Sequence, residues 1–205
     1  HSVVNDRGRR GMADLNFLDV PVPTLDAEKH KVWGSPSVSV GGIGAAIGFH
    51  TILRSGDQLE GNTFGQLIDS TGADLVAEDL SPRISNDNDF SSLLDVHDKL
   101  FMVSHFESRP AAMYLSELEP DDQGALTAVS TRPVDFSAVR GGWVHCAGSV
   151  TPWKTHLGSE EYEPNARFHD PQTGILTESD GVTPNSYYHA MDAYYGGDAT
   201  QLAVR

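Results

Sequence analysis

Cys146, the chain's one cysteine, shares a short stretch with the paired carboxylates Glu160 and Glu161. Residues 142–165 read G-W-V-H-C-A-G-S-V-T-P-W-K-T-H-L-G-S-E-E-Y-E-P-N, with Thr151-Pro152-Trp153 between cysteine and carboxylates. Thiolate is a soft ligand and carboxylate a hard one. A site that uses both suits iron, because ferric iron accepts sulfur and oxygen together. Carboxylates alone suit calcium. A lone cysteine cannot form an internal disulfide, so the other reading of Cys146 is a small buried hydrophobe. Asn86-Asp87-Asn88-Asp89 resembles the opening of a calcium loop. It lacks the glycine and glutamate that complete an EF-hand. Asp87 and Asp89 therefore belong either to an irregular calcium site or to a solvated turn. No G-x-S-x-G elbow, H-E-x-x-H helix or paired-cysteine zinc pattern is present, which leaves the corresponding hydrolases without support.

The elements that must position these residues read as short strands. Leu93 to Val96 and Leu100 to His105 flank a turn at Asp98-Lys99, as a hairpin would. Ala112 to Leu118 and Ala125 to Ser130 flank Glu119-Pro120-Asp121-Asp122-Gln123-Gly124, whose turn chemistry is strong. A third hairpin is expected where Asp170-Pro171-Gln172-Thr173-Gly174 separates Phe168-His169 from Ile175-Leu176. Thr51 to Arg54 reads as a strand entering the turn Ser55-Gly56-Asp57. Antiparallel strands at this spacing predict an all-β sandwich, barrel or propeller. One helix is expected, Ser186 to Tyr195, with Tyr187, Tyr188, Met191 and Tyr195 on a shared packing face. Residues 1–36, punctuated by Pro21, Pro23 and Pro36, read as an extended arm before a domain spanning 37–205. Gly42, Gly44 and Gly48 fit no nucleotide-binding spacing and read as backbone threading a tight place.

The net charge of −15 repels nucleic acid and anionic membranes, so a direct nucleic-acid role is not expected. The same acidity either attracts hard cations or keeps an exported protein soluble. No apolar run is long enough to span a bilayer as a helix. Arg7-Gly8-Arg9-Arg10 is not a twin-arginine signal, because Asp14, Asn16 and Asp19 break up the segment where an apolar run would have to stand.

The stretch around Cys146 resembles the central motif of the PhoX-type alkaline phosphatases, approximately C-x-G-G-x-T-P-W-G-T-W-L-T-C-E-E. Two looser stretches keep the family's order. Leu53-Arg54-Ser55-Gly56-Asp57 is similar to L-R-W-G-D, and the strand ending Ser104-His105-Phe106-Glu107 is similar to one ending N-H-E. The chain departs from the central motif at Ser149, Lys154, His156 and Ser159. The resemblance implies a secreted or periplasmic hydrolase whose signal peptide lies outside this chain. It implies a six-bladed β-propeller, here in part, with an iron and calcium cofactor in its channel. Carried across, Cys146 and Glu161 are metal ligands with Glu160 as neighbour. His105 and Glu107 lie either near the channel or as structural residues at a strand end. The implied activity is metal-dependent hydrolysis of a phosphate-ester substrate, for which this chain alone would not suffice. Further blades would come from the rest of the parent protein, or from copies of the chain, joined along sheet edges. The other reading is a noncatalytic structural or assembly protein of propeller ancestry.

Overall fold

The computed structural model describes residues 14–29, 31, 33–186 and 190–197. These form a mainly β chain of antiparallel sheets and hairpins. It divides into two compact units, residues 1–50 and 51–205.

In the first unit, β1 (Leu15–Phe17), β2 (Ser37–Val40) and β3 (Ile43–Ala46) make a three-stranded sheet in that order. A four-residue helical turn, α1 (Asp26–Lys29), lies between β1 and β2. The expected arm is thus part strand, because Leu15, Asn16 and Phe17 register with Val40, Ser39 and Val38. Gly41 and Gly42, at φ 56° and 85°, form the left-handed turn that joins β2 to β3. The glycine cluster is therefore hairpin chemistry and not a tight passage: a side chain at Gly42, Gly44 or Gly48 would meet nothing within 4 Å.

The second unit opens with Ile52 to Arg54 outside any strand and a small hairpin, β4 (Gln58–Leu59) with β5 (Asn62–Thr63). Its main sheet has four antiparallel strands in chain order: β6 (Asn88–Val96), β7 (Lys99–Phe106), β8 (Ala112–Pro120) and β9 (Leu126–Pro133). The β6–β7 turn falls at His97-Asp98, both left-handed at φ 50° and 63°, one residue before the expected place. The β8–β9 turn is tied by the Asp121 carboxylate, which accepts the N–H groups of Gln123 and Ala125 at 2.8 Å each. Alternation of side chains along the strands divides the sheet's two faces. On one face Phe106, Ala112 and Tyr114 pack with Phe64, Leu67 and Leu75, while Met102, Leu118 and Ala128 form an adjoining cluster. The polar groups on this face are paired. Tyr114 donates to the Gln66 carbonyl at 2.6 Å, and the Ser116 and Thr131 hydroxyls bond at 2.8 Å. The other face carries Ser92, Val103 and His105, and a second hairpin lies across it.

That hairpin is β10 (His145–Val150) with β11 (His156–Glu160), closed by Thr151-Pro152-Trp153-Lys154-Thr155. The Thr151 hydroxyl accepts the Thr155 N–H, and Lys154 takes φ 60° to complete the turn. Gly148 and Gly158 are cross-strand partners. A Cβ on Gly148 would stand 2.5 Å from the Phe90 ring, and one on Gly158 would stand 2.6 Å from His105. Only glycine lets the hairpin lie this close to the sheet.

The expected third hairpin is reduced to a bridge between His169 and Leu176. Of the expected C-terminal helix, Ser186 is helical, whereas residues 190–197 are not. Residues 190–197 run as consecutive turns, with Tyr194 and Tyr195 bonding three residues back, and end on Gly196 and Gly197 at φ 65° and 88°. Paired glycines favour left-handed turns over helix. Met191 and Tyr195 still pack, with Trp143, Val144 and Tyr194. Tyr187 and Tyr188 lie outside the described residues. Among the described residues no sheet closes on itself, and no helix is long and apolar enough to cross a membrane.

Candidate metal centre

Two β-bulges build the site. In β6, Asn88 pairs with Phe106 and Ser91 with Ser104, so Asp89 and Phe90 together oppose His105. In β10, His145 pairs with Glu160 and Gly148 with Gly158, so Cys146 and Ala147 together oppose Ser159. An extra residue interrupts the ladder and re-aims the side chains around it. The Glu107 N–H donates to the Asp87 carbonyl at 2.8 Å, which closes the open end of β6–β7. The Glu161 N–H donates to the Val144 carbonyl at 3.0 Å and closes the end of β10–β11 in the same way.

These two ends meet. Asp89, Glu107 and Cys146 each offer a ligand atom, and all three atoms lie within 4.8 Å of one another. Asp89 is exposed, while Glu107 and Cys146 are half-buried. Glu161 stands beside them. A hydrogen bond to its carboxylate, with partial desolvation and the Asp89 carboxylate adding to it, pushes the Cys146 thiol up to about 12. Tyr162 completes the group: Glu161 above all, then desolvation, Glu107 and Cys146, hold its phenol above the ordinary range. Without a cation the thiol stays protonated among like charges. A cation would reverse that balance, because a coordinating thiol is deprotonated outright. The donor set of one sulfur and several carboxylate oxygens fits iron, and its oxygens fit calcium.

The structure thus brings together four of the residues singled out in the sequence, Cys146, Glu161, Glu107 and Asp89. The other three serve nearby. Glu160 points away and accepts the Trp143 N–H at 2.8 Å, with His145 Nε2 at 3.9 Å. Asp87 contributes its backbone carbonyl to the Glu107 N–H. His105 is fully buried behind the site, with Nδ1 2.9 Å from the Cys146 carbonyl. Sequence reasoning missed Tyr162, which sits immediately after the glutamate pair. Arg109, a conceivable phosphate contact in the sequence, has its guanidinium carbon 5.2 Å from the Trp143 ring centroid.

His145, beside Cys146 in β10, is 5% exposed. Burial lowers its imidazole to about 4; the bond to the Ala112 carbonyl works the other way, and His105 and His156 add to the lowering. Its ordinary value is 6.5, so between these limits the unfolded chain binds a proton that the folded chain refuses. This contribution is present in full above pH 6.5 and is lost as pH falls towards 4. Urea unfolding is expected to show about 3 kcal/mol lost over that window, and His145→Gln is expected to flatten the slope. A wild-type slope identical to that of His145→Gln would show that the ring is protonated in the fold.

Comparison with protein-family models, with curated proteins and with solved structures finds no match.

Proposed function

We propose that the chain belongs to a metal-dependent phosphate-monoester hydrolase of the PhoX type and supplies ligands to its iron and calcium centre. The observation that carries this reading is the convergence of Asp89, Glu107 and Cys146 within 4.8 Å, beside Glu161. The resemblance named Cys146 and Glu161 as ligands, and the two come together with two further carboxylates. The sheet arrangement supports a propeller. A four-stranded antiparallel sheet in chain order is the form of a propeller blade, and β10–β11 lies on its face where the next blade would begin. The apolar cleft of about 770 Å³ beside β10–β11, walled by Val103, Met113, Leu115, Val134 and Phe136, is where further strands of that blade would pack. Those strands would come from elsewhere in the parent protein or from another copy, as would further ligands.

In this reading Cys146 holds metal and does not attack substrate, since a thiol pushed up to about 12 is a poor nucleophile at neutral pH. Asp89, Glu107 and Glu161 hold the hard cations. Bound metal supplies Lewis acidity towards the phosphoryl oxygens of the ester. An exported location accords with the family and with the acidic surface.

Anaerobic loading with iron and then calcium, with desalting and element analysis afterwards, tests the reading. Both metals are expected to remain, with a visible thiolate-to-iron charge-transfer band that inorganic phosphate shifts. A colourless, iron-free protein would remove the metal centre. A band indifferent to phosphate would remove the phosphatase and leave a structural metal site.

A further inference from the structure

His105 and His156 meet head to head, and the metal reading uses neither ring. Nδ1 of His105 lies 2.9 Å from the Cys146 carbonyl oxygen, which can only accept, so Nδ1 carries the proton. In the neutral ring Nε2 is then a bare acceptor. It faces Nε2 of His156 at 2.5 Å, so the proton between them belongs to His156. Nδ1 of His156 is left as an acceptor, and the Ser92 hydroxyl donates to it at 2.9 Å. The bonds therefore run in one sense, from Ser92 through His156 and His105 to the Cys146 peptide. They tie β6 and β7 to β10 and β11.

Two other roles for these residues fail on geometry. Two nitrogens on one tetrahedral metal ion, at bonds of about 2.0–2.1 Å, stand roughly 3.3 Å apart. The two nitrogens make a short hydrogen bond at 2.5 Å, and among the described residues no third ligand atom joins them within 4.8 Å. Ser92 and His156 are also spaced as a nucleophile and its base. Ser92, however, is only 2% exposed, out of reach of any substrate.

Cys146 sits in a bulge, where the ladder is interrupted, and the packing beneath the hairpin is between glycines and rings. The bulge turns the Cys146 peptide away from the ladder, and the His105 bond fixes its carbonyl there, with His156 holding His105 in turn. We infer that the His105–His156 pair is a positioning device that aims the Cys146 thiol at Asp89 and Glu107, and so decides whether the centre takes thiolate-seeking cations or only oxygen-seeking ones. The inference rests on the metal reading above. Without the pair, the carboxylates keep their own strand ends while the sulfur loses its aim. Outer partners of this kind orient ligands as much as the ligands' own bonds do.

Cobalt(II) and calcium, titrated separately into the full chain, test it. In the unaltered chain cobalt is expected to give a sulfur-to-metal charge-transfer band. His156→Leu is expected to weaken cobalt binding about 10- to 100-fold and to shrink the band per bound ion, with calcium affinity moving less than about threefold. His156→Gln, whose amide can donate to His105 Nε2, is expected to restore most of the band. A folded His156→Leu chain with unchanged cobalt affinity and band overturns the inference. So does a parallel loss of cobalt and calcium, which would mark general structural damage. If His156→Leu fails to fold, His105→Gln is read by the same criteria. An unaltered chain with no cobalt band overturns the metal reading and this inference with it, whereas a band that survives the loss of His156 overturns this inference alone.

Discussion

Cys146→Ser is expected to abolish the thiolate-to-iron band and to weaken iron binding by about 100-fold or more, at least the upper end of what disturbing an outer partner costs. Serine nearly conserves the volume, so packing is not what changes. It removes the one soft donor, and a serine hydroxyl does not ionise near neutral pH to replace it. Asp89, Glu107 and Glu161 stay in place, so calcium binding is expected to persist. Unfolding free energy is expected to move by no more than about 0.5 kcal/mol, since the site is at the surface. An anaerobic iron titration monitored by absorbance, with element analysis after desalting, reads both effects. A Cys146→Ser chain that keeps its full iron complement would show that sulfur is not a ligand.

The largest effect on stability is expected at Phe106, immediately before Glu107. Its ring is completely buried. It meets Phe64 edge-on at 5.1 Å between centroids and Tyr114 at 5.8 Å. It also fills the space over Gly65, where a Cβ would lie 3.2 Å from the ring. Phe106→Ala leaves a cavity bounded by the sheet and by other rings, none of which can collapse into it. The expected cost is about 3–5 kcal/mol. Against the roughly 5–15 kcal/mol typical of a domain, that is a large fraction of the whole. Urea denaturation of the two chains measures it. A loss below about 1 kcal/mol would mean that this cluster is not a packed core.

The hairpins were legible because their turns are written in residue chemistry. Residues 119–124 announce a turn by Pro, Asp and Gly, and it falls at 121–125, since β8 runs on through Pro120 and β9 begins at Leu126. The motif around Cys146 was legible as a unit because Thr151 to Thr155 closes a hairpin that returns Glu161 to the cysteine. The resemblance singled out Glu161 over Glu160, and strand geometry supplies a physical reason. Successive side chains point to opposite sides, so only one of the pair can face the cluster. In sequence Asp89 stood open between an irregular calcium site and a solvated turn, and the bulge that brings it beside Cys146 leaves no mark in composition. The helix expected at 186–195 misled over residues 190–195, because Met191 and Tyr195 are spaced as on one helix face. Their burial against Trp143 is real, but a string of turns delivers it.

The two bulges have a consequence for how such a centre is inherited. Asp89 and Cys146 are aimed by one surplus residue in each strand, set against a single residue in the partner. Deleting Ala147 or Phe90 would leave every ligand in the sequence yet restore an unbroken ladder, and a shift of one residue turns side chains to the opposite face. The centre is therefore encoded by chain length as much as by residue identity. A lineage could lose it through an in-frame loss of one codon while its ligand residues stayed intact. It could regain it by the matching insertion, with no substitution at any ligand position.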